Sequence, residues 1–376
     1  MKRPSPQTFR TAALLGAAVL LASAAFALHA SPAQAGGGPA FFKGRVQDLS
    51  GSSAGLDKRF AEAVKNAGDN MFFAAAMFPG SSKIRYGGRT HGEDFYTINV
   101  GKSRIRIREK AGDGLTISDN DNENKPAPAV WLLLCDGKTG RPVDSSVLDP
   151  DRTYEFDSTP VYWLGNPGAA ESLGFIEKIF QAHPDADVRE KLLFVLSRHD
   201  EPRVYDVLLK TALEDRKEEV RRSAVFWLGC IPDARCLVGL KEVFRKEKES
   251  DIREHVIFAL SLRKEKEAVV EMIRIAKEDR DDSVREKAVF WLGQKATAES
   301  VKALKDIVQS PTEEDKLKEQ AVFAMSQLPK DKSVPMLIDI ARTNKSVHVR
   351  KQAMFWLGQS GDPAALKLFE EILLKK

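Results

Sequence analysis

The sequence predicts a mainly α protein, a right-handed α-solenoid of short helix pairs preceded by a small α+β or mainly β domain. Three observations carry that expectation. A four-residue phrase returns seven times in the 376-residue chain, at steps of 32, 32, 32, 32, 33 and 32 residues. A period of that size marks stacked units, each of which buries its apolar face against its neighbours. Stretches rich in β-branched and aromatic residues are confined to the region before the repeats, and after residue 161 the apolar spacing becomes helical.

In chain order, Lys2, Arg3 and Arg10 form a basic head, Leu14 to Leu28 an apolar stretch, and Ala33-Gln34-Ala35 a small-residue cleavage site. Together they predict a secretory signal over residues 1–35 and a periplasmic or secreted protein. No Cys follows the cleavage point to carry a lipid, and no later apolar run is long enough for a membrane span. The signal holds three of the 58 basic residues and none of the 54 acidic ones, so 55 face 54 once it is removed. A near-neutral exported chain lacks the electrostatic footprint of a nucleic-acid binder. Of the three cysteines, Cys230 and Cys236 flank a predicted inter-helix turn, a placement that would allow a bridge across it in an oxidising compartment. Cys135 lies in an apolar run and reads as a buried thiol.

Residues 36–53 are rich in Gly and Ser and read as a flexible linker. A small mainly β domain is expected over 54–160, with a helix at Ala54 to Ala67. Strands are expected at Met71 to Phe78, Phe95 to Val100, Arg104 to Arg108 and Val130 to Cys135. Asp119-Asn-Asp121-Asn-Glu123 has the opening of a calcium loop. Asn124 stands where such a loop needs Gly and Val130 where it needs its closing Glu, so no calcium site is expected.

Residues 161–376 are expected to form the solenoid, with all seven copies of the phrase. First helices show spacings such as Leu237, Leu240, Val243 and Phe244. Second helices open with pairs such as Val188-Arg189, Val220-Arg221, Ile252-Arg253 and Val284-Arg285, and they end at the Leu-Gly or Leu-Ser of the phrase. Gly229, Gly293 and Gly358 stand where a helix C-terminus favours a residue free to turn. Val-Arg-x-x-Ala-(apolar)-x-x-Leu-Gly, followed by Asp362-Pro363-Ala-Ala-Leu366, resembles the short HEAT repeats of the phycobilisome-lyase type over roughly residues 161–376. That resemblance implies a stack of HEAT-like helix pairs. It also implies the roles such repeats serve, protein-binding scaffolds and in a few cases parts of enzymes.

Advancing about 100° per residue from Val188 gathers Val188, Leu192, Val195 and Leu196 on one buried seam and sets Phe194 nearly opposite. In repeats of the resembled type that opposite position looks onto the concave surface of the superhelix. It is aromatic in all seven copies: Tyr162, Phe194, Phe226, Phe258, Phe290, Phe323 and Phe355. Gln294, Gln327 and Gln359 lie one turn beyond their Phe, and Glu190, Lys191, Glu254, His255, Glu286 and Lys287 complete a polar surround. Such a stripe reads as a recognition groove for a protein or peptide, as ring-on-ring core packing, or as a seat for the β domain. Trp163, Trp227, Trp291 and Trp356 alternate with Val195, Ala259 and Ala324, a large-beside-small pattern that implies a two-repeat unit. The basic residue opening each second helix recurs beside Asp187, Glu219, Asp251 and Asp282, which favours a ladder of charge pairs over an anion groove.

No nucleophile motif, phosphate-binding glycine loop or paired-carboxylate signature stands out in the β region, which leaves room for an enzyme there as the lesser expectation. His91, His183, His199, His255 and His348 share no metal-ligand spacing, and deoxyhypusine hydroxylase, an iron enzyme on similar repeats, needs His-Glu pairs of which this chain has none. The expectation is an exported protein-binding scaffold that needs no cofactor and works through the solenoid surface. The resemblance to bilin lyases implies an alternative, a holder of a flat apolar ligand such as a linear tetrapyrrole. The signal site predicts that the exported protein begins at Gly36, and an intact mass that retains residues 1–35 would overturn it.

Overall fold

The computed structural model describes residues 38–80, 94–100, 103–110, 127–156 and 158–374, with backbone alone for strands 94–100 and 103–110. The signal segment and the Asp119 to Glu123 loop lie outside the described residues. Two compact units divide between Val207 and Leu208.

The first unit is built on two sheets. β1 (Phe42–Lys43), β8 (Thr153–Phe156), β5 (Ser103–Lys110) and β4 (Asp94–Val100) lie in that order in one. The other runs β2 (Val46–Asp48), β9 (Val161–Trp163), β3 (Phe72–Gly80), β6 (Ala127–Cys135), β7 (Pro142–Leu148). The expected strands at 71–78, 95–100, 104–108 and 130–135 all form, and the expected first helix is α1 (Leu56–Ala67). Of the expected linker, residues 38–53 are described and are not a flexible lead-in. β1 pairs parallel with β8 and β2 with β9, and Phe42 and Leu49 are buried.

β3 and β6 read as unbroken apolar runs because both faces of their sheet are covered. Phe73, Ala75, Val130, Leu132 and Leu134 face a core shared with Phe42, Tyr154 and Phe156 of the other sheet. On the opposite face lie α1, α2 (Ala169–Ala182) and α3 (Ala186–Ser197). There the Phe72 ring meets Phe60 of α1 at 6.3 Å, and Trp131 stacks on Phe175 of α2 at 5.6 Å. The first helix pair therefore belongs to the sheet, and a cut at residue 160 would strip α2 and α3 of their cover.

The copy Tyr162-Trp163-Leu164-Gly165 is no helix end. It is strand β9, held parallel between β2 and β3. Pro160 and Pro167 bracket it, and Tyr and Trp suit a pleated, buried surface. Gly165 has φ +89°, and an added Cβ would meet Arg59 and Ser50 at 2.8 Å, so the glycine ends a strand rather than a helix. The repeats thus begin with α2, and six copies of the phrase are helical.

The helical array continues with α4 (Arg203–Glu214), α5 (Glu218–Cys230), α6 (Arg235–Lys246), α7 (Ser250–Leu262), α8 (Lys266–Glu278), α9 (Asp282–Lys295), α10 (Ala298–Gln309), α11 (Asp315–Ser326), α12 (Lys330–Thr343), α13 (Val347–Ser360) and α14 (Pro363–Leu374). In the second unit α5, α7, α9, α11 and α13 stack in sequence, with α6, α8, α10 and α12 beside them. Their seams are those read from the sequence: Ile252, Val256 and Leu260 in α7, Val284, Ala288 and Leu292 in α9, and Leu240, Val243 and Phe244 in α6 are buried.

One polar chain crosses the core of the first unit. The Trp131 indole N–H donates to Ser172 Oγ at 3.0 Å, Ser172 lies 2.8 Å from His199 Nε2, and His199 Nδ1 lies 3.0 Å from the Val195 carbonyl. A carbonyl only accepts, so Nδ1 carries the proton, Nε2 is the acceptor, and the Ser172 hydroxyl donates to it. The imidazole stacks on Phe78 at 4.1 Å. Burial pushes its pKa from the ordinary 6.5 down to about 4. The folded state therefore resists a proton that the unfolded state takes up, and this contribution, complete above pH 6.5, is lost as pH falls from 6.5 towards 4. On the order of 2 kcal/mol should be gone by pH 5. Urea melts at pH 7.5 and 5 should show that fall in the natural protein and a smaller one in His199→Gln; an equal fall in both would contradict it.

Candidate partner-binding surface

The second unit carries the aromatic positions on α5, α7, α9, α11 and α13, and all but the last are half-buried. Phe226 stacks on Phe258 at 6.0 Å with 19° between planes, and Phe290 on Phe323 at 6.5 Å with 17°. The ladder is not uniform. Phe258 goes on to meet the indole of Trp291 at 4.8 Å, and Phe323 that of Trp356 at 5.1 Å. The aromatic face thus repeats as Phe, Phe, Trp over two helix pairs, each stacked ring keeping part of its surface open.

The alternating spelling has a backbone cause. A Cβ added to Gly229 would sit 2.9 Å from the Ala259 backbone, and one on Gly293 would sit 2.8 Å from Ala324 Cβ. These glycines are not helix C-caps: both lie inside their helices and are buried, because the next helix brings its alanine against them. Gly358, also inside its helix, is exposed, and the left-handed cap residue there is Gly361 with φ 62°. In the alternate copies the serine hydroxyl donates back to the carbonyl of its own aromatic residue: Ser197 to Phe194 at 2.7 Å, Ser261 to Phe258 at 2.6 Å, Ser326 to Phe323 at 2.7 Å. Trp291 and Trp356 lie against the Phe258 and Phe323 rings, and their indole N–H groups are buried without an acceptor among the described residues.

The other predicted site residues divide. Tyr162 is buried in β9 against Phe72 at 5.6 Å and takes no part in a helical face. Phe194 is half-buried on α3 of the first unit. Gln294, Gln327 and Gln359 are exposed, and Gln327 donates to Ser326 at 3.0 Å. Glu254 pairs with Lys287 at 3.1 Å and Glu286 with Lys316 at 2.5 Å, tying successive helices across the polar surround. His255 lies 6.5 Å from the Phe258 ring, edge to face, and burial, then Arg222, lower its pKa.

The basic ladder is structural and points forward along the stack. Arg221 pairs with Glu247, Arg253 with Asp279 and Arg285 with Glu313, each acid lying in the turn of the following helix pair. The partners are thus the acids one pair ahead rather than those beside the arginines, apart from Asp282, 3.8 Å from Arg285. Arg253 also covers the Phe244 ring at 4.6 Å. Sequence reasoning missed Arg263, which is buried and donates to the Ile231 carbonyl at 2.6 Å and the Asp233 carbonyl at 3.0 Å, satisfying the end of α5. Its only signal was a basic residue directly after a Leu-Ser-Leu helix end.

Among the described residues, catalytic geometry is approached at Ser172 and His199. There the hydroxyl already accepts from Trp131, Nδ1 is held by a backbone carbonyl, and both side chains are buried, so the pair is a core peg with no approach for a substrate. Cys230 and Cys236 are free thiols, both pushed up to about 12 by burial, and burial also pushes Cys135 up. A recess of about 230 Å³ between α10 and α12, walled by Val308, Met325, Met336 and Ile340, shares no residue with the aromatic face.

Residues 172–261 match the family model of HEAT repeats, and residues 349–375 match that of the PBS lyase HEAT-like repeat. Similar solved structures include YibA of Escherichia coli, 17% identical over 55% of this chain and 77% of that one with a TM-score of 0.34. Human deoxyhypusine hydroxylase in complex with glycerol is 19% identical over 56% and 80%, TM-score 0.25. The complex of CpcE and CpcF of phycocyanin lyase from Nostoc sp. PCC7120 is 18% identical over 52% and 79%, TM-score 0.32. No curated protein matches the sequence significantly.

The glycine contacts separate two outcomes. Gly293→Ala should destabilise by roughly 1–3 kcal/mol, since α11 has to move, whereas Gly358→Ala should stabilise by about 0.5–1 kcal/mol through helix propensity alone. Thermal melts of the two variants check this, and shifts of the same sign would refute the close-approach account.

Proposed function

We propose that this mainly α solenoid of HEAT-like repeats is an exported protein-binding scaffold that reads a protein or peptide partner with the aromatic face of its second helices. The observation that carries the reading is the row Phe226, Phe258, Trp291, Phe290, Phe323 and Trp356, whose rings are stacked yet mostly left partly open between ion-paired polar flanks. Rings fixed by one another lose little freedom on binding, and half-open aromatic surface is the material of interface anchors. The basic head, apolar stretch and Ala33-Gln34-Ala35, read as a secretory signal, support a periplasmic or secreted setting.

The test is co-purification from the native envelope with the natural protein and with Phe258→Ser combined with Phe290→Ser. These side chains are half-buried, so each change should cost about 1–2 kcal/mol rather than the 3–5 kcal/mol of an emptied Phe site. The double variant should stay folded and lose its partner. Retained capture, or a collapse of the melt that marks the rings as core, counts against the proposal. Native protein that is coloured, with extra mass, would replace it with the tetrapyrrole-holding alternative.

A further inference from the structure

Among the described residues, the last pair of helices lacks a cover that its counterparts have. Phe226-Trp-Leu-Gly229 and Phe290-Trp-Leu-Gly293 are each covered by the next second helix: a Phe ring stacks on the first residue and an Ala closes on the glycine. Phe355-Trp-Leu-Gly358 has the same spelling and none of that cover. Phe355 is 54% exposed and, among the described residues, its ring meets that of Trp356 at 5.0 Å, while a Cβ on Gly358 would come no nearer than 4.0 Å to the Phe369 ring.

The charges repeat the pattern. Arg221, Arg253 and Arg285 each hold a carboxylate of the following pair, while among the described residues the Arg350 side chain holds the Asn344 and Lys345 carbonyls of its own turn, at 2.7 and 3.0 Å, and no carboxylate. Lys351 stands where Glu254 and Glu286 reach forward to a lysine, and it has no ion pair among the described residues. Alongside, α14 packs on α12 and α13 as the first helix of a pair, with Leu366 and Leu373, two turns apart on one face, 64% and 80% exposed.

We infer that the groove between α13 and α14 receives one amphipathic helix from a partner protein, with an aromatic residue stacking on Phe355, a small residue next to it set against Gly358, a carboxylate one to two turns earlier for Lys351 and another about three turns earlier for Arg350. This is helix-in-groove recognition specified by the chain's own repeat rules. It rests on the scaffold reading only in treating the chain as a binding protein, and it uses the last rung of the aromatic face, on α13, without Phe258 or Phe290.

The chain supplies the probe. A fluorescent peptide of residues 312–328 contains the helix that covers Phe290 and Gly293, with Glu313, Glu314 and Asp315 at its head. Titrated with full-length protein and followed by anisotropy, it should bind, and its Lys316→Glu form should bind several-fold more tightly because Lys316 would face Lys351. Gly358→Trp, at an exposed position, should weaken binding at least tenfold with an unchanged melt, and the Phe258→Ser, Phe290→Ser protein should still bind if folded. Absent binding, equal binding by Gly358→Trp, or equal binding of a Phe323→Ser, Ala324→Leu peptide would overturn the inference. So would a natural protein that sediments as a dimer and becomes monomeric with Gly358→Trp, since a second copy would then be the occupant.

Discussion

The second unit depends on one contact: the helix that ends in Leu-Gly lies so close to the next that a single methyl group would not fit between them. Gly229 against Ala259 and Gly293 against Ala324 set that separation. Helices brought this near must place their bulk elsewhere. The Phe rings stack at the outer edge, and Trp291 and Trp356 lie over the preceding Phe. What reads as a decorated surface is therefore a by-product of backbone proximity in the interior, and the partly open rings are held as rigidly as the helices beneath them.

The first unit obeys a different constraint. A sheet covered on both faces needs apolar residues at every position of β3 and β6, and it leaves the few polar atoms among them no water to use. Trp131, Ser172 and His199 solve this locally by passing hydrogen bonds from one to the next until a backbone carbonyl accepts the last. The arrangement looks like a nucleophile beside a base, but the same bonds that satisfy it leave the hydroxyl no approach to a substrate.

Legibility followed locality. The helical seams, the two-repeat rhythm and the basic ladder were readable because each recurs at a fixed step, so one copy checks another. Tyr162 misled because four letters matched by chance, and the prolines at 160 and 167 carried the contrary signal. The strands in residues 36–53 were hidden in a Gly- and Ser-rich stretch because their pairing partners lie over a hundred residues away, at Tyr154 and Val161. Gly229 and Gly293 were taken for caps since a glycine near a helix end looks the same whether it turns the chain or admits a neighbour. Arg263 and the Ser172–His199 contact are tertiary events with no periodic signature.

The alternation of spellings also restricts how such a chain can lengthen or shorten. From Phe226 to Phe290 is 64 residues and from Phe290 to Phe355 is 65, so removing or duplicating one whole period returns each glycine to an alanine and each Arg to an acid ahead of it. An insertion or deletion of about 32 residues would put a Trp-bearing helix against a glycine cut for alanine, forcing two backbones apart at a buried seam. The array therefore has a parity. Gene-level changes that respect it pass unnoticed by the core, and those that break it are removed by folding before function is ever tested.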